Sequence, residues 1–195
     1  MTPEPLILLT SQSKVDMYLA GIDSSGKLEY IAIVVCKMDK LTETFKALDI
    51  TEGFHMRKEG SGEKRRVAKS LVRYVNERSY LRAICIRANI IRLAEDYSHE
   101  YRTPRKRALI QVEKFCQKEL LKTLKKTNVD EIHYDNELSP LVKDFQGNKK
   151  LKGPAVTLAD ILAWINLKGS DLNIDEPQAI TFIDLEKMAR ERLRI

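Results

Sequence analysis

The run Leu28–Cys36, LEYIAIVVC, constrains the fold of this chain more than any other segment. From Ile31 to Val35 it is apolar at every position, so both faces of the strand it forms must be covered. Such a strand lies inside a sheet, not at its edge. Just before it, Met17–Asp23 (MYLAGID) reads as another apolar strand, and the intervening Ser-Ser-Gly-Lys is turn chemistry. The two therefore form an antiparallel hairpin, with its second strand central.

The remaining pattern alternates. Helical spacing of apolar residues predicts helices over 40–48, 63–78, 88–101, 105–126 and 155–167, and over the tail 184–194. Strand patterns cover 80–86, 129–135 and 179–183, with a short further strand over 54–58. In the third helix Ile90, Ala94, Tyr97 and Tyr101 fall on the inward face. A hairpin followed by alternating strands and helices predicts an α/β fold: a mixed sheet with helices on both faces. At 195 residues the chain is long enough to bury a core, and one domain over 1–195 is expected.

The net charge of +6 conceals a segregation. Residues 57–126 carry 20 Lys+Arg against 8 Asp+Glu, a local net of +12, whereas the rest of the chain carries 14 against 20. A polyanion-facing segment attached to an acidic frame is the expected arrangement. Candidate phosphate contacts are Arg65, Lys69 and Arg73 on one helix and Arg105, Lys106 and Arg107 at the start of the long one. Arg107, Lys114, Lys118, Lys122 and Lys125 then recur at spacings of seven, four, four and three, which makes a cationic stripe. Positioning charges of this kind grip nucleic-acid backbones, and the bland alternative is a solvated helix face.

Several classes fall away. No apolar run approaches the roughly 18 residues of a membrane span, and the N-terminus has no basic region ahead of its short apolar stretch, as a secretory signal would. The three cysteines and three histidines are scattered, without CxxC or HxxxH spacing, so a structural zinc site is not expected and a reducing cytoplasm is. Neither GxGxxG nor GxxxxGK[ST] occurs.

Three acidic residues interrupt apolar surroundings. Asp23 closes the first strand, Asp135 closes the strand IHYD, and Asp160 stands within LADILAW. A carboxylate in such a setting needs a partner, a proton or a metal. If the strands are neighbours and the helix packs over their ends, the three converge. Converged carboxylates suit Mg²⁺ or Mn²⁺ and phosphodiester hydrolysis. Local alternatives stand beside this reading: Asx turns at Asp23 and Asp135, and a capping box formed by Thr157 and Asp160.

The opening Ile22-Asp-Ser-Ser-Gly26 with its long hairpin partner resembles RNase H-like domains. More narrowly, it resembles an uncharacterised branch of presumed nucleases that opens with Asp-Glu-Ser-Gly and closes with an Ala-Asp-x-x-Ala helix, matched by Ala159-Asp-Ile-Leu-Ala163. The resemblance implies an RNase H-like sheet with the 88–126 segment as a basic helical insertion. It also implies Asp23, Asp135 and Asp160 as ligands of Mg²⁺ or Mn²⁺. The chain departs from the pattern at Ser24, where the branch has Glu. A fourth carboxylate has several candidates in Glu52, Glu59 and Glu63; Glu52, three residues before His55, loosely resembles the branch's acidic-x-His element. The expected activity is metal-dependent cleavage of DNA or RNA, with nucleic acid as partner and no membrane; a homodimer is one option left open. A non-catalytic nucleic-acid-binding protein on the same fold is the rival. A phosphate-gripping hairpin of the sugar-kinase and actin type is a further one, set back by only 8 glycines.

Overall fold

The computed structural model describes residues 16–168 and 180–195. The hairpin forms as expected: β1 (Tyr18–Ser25) pairs antiparallel with β2 (Tyr30–Lys37), and Ala32 of β2 stands opposite Asp23. A 3-10 turn leads into α1 (Leu41–Leu48), and α2 (Ser61–Glu77) leads into β3 (Leu81–Arg87). Two helices follow, α3 (Ile90–Glu100) and α4 (Arg105–Lys126), and then β4 (Glu131–Tyr134) and the single-turn α5 (Ser139–Val142). The chain continues through β5 (Asn148–Leu151), α6 (Val156–Lys168), β6 (Ile180–Asp184) and α7 (Leu185–Leu193).

The strands form one sheet in the order β5-β4-β1-β2-β3-β6. Because β2 is antiparallel to both β1 and β3, while every other pairing is parallel, β2 alone runs against the rest. The mixed α/β sheet with an N-terminal hairpin is therefore as expected. Its connectivity has a further consequence. From β1 the chain moves one way to β2 and β3 and later returns to β4 on the other side of β1. The boundary between β1 and β4 is thus a switch point, and α/β sheets bind ligands at the carboxyl ends of strands at such points.

Two cores cover the two faces. On one side Leu19, Ala32, Val34, Cys36, Ala83 and Cys85 meet α1, α2 and α6. On the other, Ala20, Ile22, Ile31, Ile33, Val35, Ile84 and Ile86 meet α3, α4, α5 and α7. The faces differ in side-chain size for a reason. Ala32, Ala83, Cys85 and Gly21 leave shallow ground on the first face, and the nearly all-apolar α6 settles deep into it. At Gly21 the approach is closest: any Cβ there would collide with the Ala155 carbonyl oxygen.

The structure corrects three local expectations. Residues 54–58 are not a strand; they form a loop with a 3-10 turn at Met56–Lys58. β5 was not anticipated, because its sequence NKKL is exposed throughout and shows no apolar alternation. Tyr101 is 45% exposed, not inward, since α3 has ended before it. The proposed start of the last strand at Ala179 lies outside the described residues. No helix among the described residues is long and apolar enough to cross a membrane.

Gly21→Ala should lower stability by about 1–3 kcal/mol, because backbone must shift to admit the methyl group. Gly53→Ala is the control, since a Cβ there meets nothing within 4 Å. Urea unfolding of both variants measures the difference.

Candidate functional site

At the carboxyl ends of β1 and β4, register brings two carboxylates side by side. Ile22 pairs with Tyr134, and the Asp135 amide donates to the Ile22 carbonyl at 3.3 Å, so Asp135 stands next to Asp23. Asp23 does not end its strand as expected; β1 runs on to Ser25, and the Asp23 side chain is buried. Alternation explains its direction. Leu19 faces the α6 side, Gly21 underlies Ala155, and Asp23, two residues on, faces the same way.

The third carboxylate arrives on α6. A capping box would turn Asp160 back to its own helix start, and the structure excludes that. The Thr157 hydroxyl donates to the Glu52 carbonyl at 2.8 Å, and Asp160 Oδ2 accepts the Met56 amide at 2.8 Å. Together these two bonds pin the 52–56 loop against α6. They also carry His55 to the site, with Nδ1 2.8 Å from Asp160 Oδ2. That nitrogen is buried and has no hydrogen bond of proper geometry, so the ring touches Asp160 without being saturated by it.

What holds α6 over the switch point is a histidine the sequence did not single out. The Ala155 amide donates to His133 Nδ1 at 3.2 Å, which requires that nitrogen to be unprotonated; Nε2 then carries the hydrogen, 2.8 Å from Glu131 Oε1. Burial lowers the His133 pKa and outweighs the pull of Glu131, in keeping with a neutral ring. Gly153 presses on the same imidazole so closely that a Cβ would overlap it. His133 and Gly21 thus dock one helix end on two neighbouring strands.

The result is a cleft of about 290 Å³ lined by Asp23, Asp135, Asp160, Glu52 and His55, among others. Its walls also include Glu137, Arg57 and Lys152, none of which the sequence reading placed there individually. Glu137 was legible in principle, two residues beyond Asp135 in Asp-Asn-Glu. Its Oε2 accepts the Ser24 hydroxyl at 3.3 Å, so a carboxylate does stand beside the position where the resemblance leads one to expect Glu. Glu59 and Glu63 do not line the cleft; Glu63 pairs with Arg66 on α2.

The electrostatics of the cleft centre on Asp23. Burial, above all, pushes its carboxyl up to about 7; the Ser24 amide opposes this, and the neighbouring Asp160 and Asp135 carboxylates add to it. No Lys or Arg among the described residues forms an ion pair with Asp23, Asp135 or Asp160. The donor set is hard oxygen, and crowded carboxylates without a fixed counter-charge suit a divalent cation. Among the described residues, however, no group of three or more His, Cys, Asp or Glu is arranged to hold a metal by itself. A hard divalent cation can be held by one or two carboxylates, with water completing its shell.

The basic residues divide. Arg65, Lys69 and Arg73 are on α2, which shares its face of the sheet with α6 and the cleft. Arg105, Lys106, Arg107, Lys114, Lys118 and Lys122 belong to α4, whose buried stripe packs on the other face. Of these, Arg105 is paired with Glu95 and Lys122 with Glu119.

No protein-family model matches the chain, and no curated protein matches it either. Among solved structures it is similar to a chain in the PCNA:RNase HII complex from Archaeoglobus fulgidus. The two share 16% identity with a TM-score of 0.46, over 91% of this chain and 87% of that one.

An Asp whose folded-state pKa is raised adds stability that is full below about 3.8 and is lost as pH rises through about 7. With metal chelated, wild-type stability should therefore fall between pH 4 and 8. Asp23→Asn should flatten that decline and melt higher than wild type at pH 8; thermal melts in EDTA across this range measure both.

Proposed function

We propose that this protein is a divalent-metal-dependent nuclease of RNase H-like type, hydrolysing phosphodiester bonds in DNA or RNA. The observation that carries the reading is the meeting of Asp23 and Asp160 at the switch point, with Asp135 next to Asp23. The chain buries one carboxyl beside two others there, and the cost is visible in Asp23, whose pKa is raised first by burial and further by its neighbours. Such an arrangement is hard to account for by folding alone.

In this reading Asp23 and Asp160 hold Mg²⁺ or Mn²⁺, with Asp135 as a further ligand. A bound divalent cation would polarise a phosphoryl oxygen and ease ionisation of a water molecule. The Ser24 amide, 2.8 Å from Asp23 Oδ1, and the Met56 amide on Asp160 aim the carboxylates. His55, beside Asp160 and 43% exposed, is placed to take up or release a proton at the cleft mouth. Glu52 is the fourth acidic group on the wall formed by the pinned loop. The chain reads as a single RNase H-like domain, with the α3–α4 segment, 88–126, as its basic insertion. Arg65, Lys69 and Arg73 lie on the face from which a nucleic acid would approach the cleft.

A second reading, a nucleic-acid-binding protein that does not cleave, is favoured by Ser24 in place of Glu and by the lack of a self-sufficient three-ligand group among the described residues.

Labelled single-stranded, duplex and hybrid substrates, incubated with the purified protein, separate the two. Cleavage should require Mg²⁺ or Mn²⁺ and stop in EDTA, and Asp160→Asn should reduce it by about 100-fold or more with the fold intact by circular dichroism. Undiminished cleavage by that variant excludes the mechanism, and metal-independent binding without turnover supports the second reading. Independently of substrate, Mn²⁺ should raise the melting temperature of the wild type, and much less that of Asp23→Asn, because only a bound ligand shifts stability by mass action.

A further inference from the structure

The long helix α4 carries a feature that the cleft does not use. Its buried residues Ala108, Val112, Cys116, Leu120 and Leu124 form one stripe against the sheet. Arg107, Lys114, Lys118 and Lys125 lie on the diametrically opposite side of the helix and are exposed. They form a straight row about 27 Å long, with steps of about 10, 6 and 10 Å. None of the four has an ion-pair partner among the described residues. The two acids of α4 offer little relief: Glu119 is taken by Lys122 and Arg192, and Glu113 is partly buried, which raises its pKa. A solvated helix face ordinarily intersperses Glu with Lys at i, i+4, and this one does not.

We infer that this outward face of α4 is a second polyanion-binding ridge, which docks the sugar–phosphate backbone of a nucleic acid on the side of the sheet away from the carboxylate cleft. The chemistry of the row selects the occupant. A protein partner would need an apolar centre, since charge is depleted at the core of protein interfaces; the only large exposed apolar side chain on α4, Ile110, lies to one side of the row. A membrane surface would need an apolar helix face free to insert, and that of α4 is already spent on the sheet. A regular line of unpaired cations matches a regular line of phosphates, whose charges recur about every 3.4 Å along each strand of a duplex.

The inference goes beyond the nuclease reading and does not depend on it. Nucleic acid would touch the protein on two sides, with the cleft reading one stretch and the ridge holding another.

Fluorescence anisotropy with a labelled 24-base-pair DNA duplex, in EDTA so that no cleavage occurs, tests this apart from catalysis. The variant Arg107→Gln/Lys114→Gln/Lys118→Gln/Lys125→Gln should bind at least about tenfold more weakly at 100 mM salt. The slope of log affinity against log salt should become shallower by about 3 to 4. Lys118→Gln alone should lower that slope by about 1 and reports the effect even if the fourfold variant folds poorly. An unchanged slope in the Lys118→Gln and fourfold variants, or failure of the wild type to bind the duplex, overturns the inference. So does preferential binding of polyglutamate through the same four residues, which would assign the ridge to an acidic protein.

Discussion

The docking of one helix end onto two neighbouring strands is the contact on which the rest of the site depends. At Gly21 the absence of a side chain lets the Ala155 carbonyl lie on β1. At His133 an unprotonated ring nitrogen takes the Ala155 amide from β4. The amide is thereby committed to the sheet, while the carbonyl, packed on Gly21, is met within the helix by the Leu158 amide at 3.2 Å, so neither buried backbone group is left unmet. Once that end is seated, the second turn of α6 necessarily brings Asp160 over the ends of the strands that carry Asp23 and Asp135.

The arrangement works against stability. A carboxylate removed from water with two others nearby is held in its charged form only at a cost, and the upward shift of Asp23 expresses it. Natural cores avoid such groupings unless something compensates. Hydrogen bonds from the Ser24, Met56 and Asn136 amides compensate in part, one each to Asp23, Asp160 and Asp135. No Lys or Arg among the described residues completes an ion pair with these carboxylates. The same logic separates the chain's two basic regions. Those on α2 share the cleft's side; those on α4 are held apart from it by the whole thickness of the sheet.

Much of the frame could be read from residue order. The β1–β2 hairpin, the central position of β2, α2 with its apolar stripe, and the long α4 all follow from periodicity, because each element buries one regular face. The three aspartates stood out for a related reason: each interrupts an apolar pattern. What escaped were elements whose sequence carries no periodic burial. β5 is an exposed edge strand held by backbone pairing, and the 52–56 loop is fixed by Thr157 and Asp160 from more than a hundred residues away. His133 escaped too, since nothing in a lone histidine shows which peptide it will meet.

The amino-acid order by itself determined the fold class, the segregation of charge and the identity of the acidic residues, because these depend on side-chain types at fixed short spacings. Only the tertiary structure decided that Asp160 turns to the Met56 amide instead of its own helix start, that His133 seats α6, and that the two cationic helices face opposite ways. Those outcomes rest on contacts between residues distant in the chain, where strand order and helix docking, not local propensity, set which groups meet.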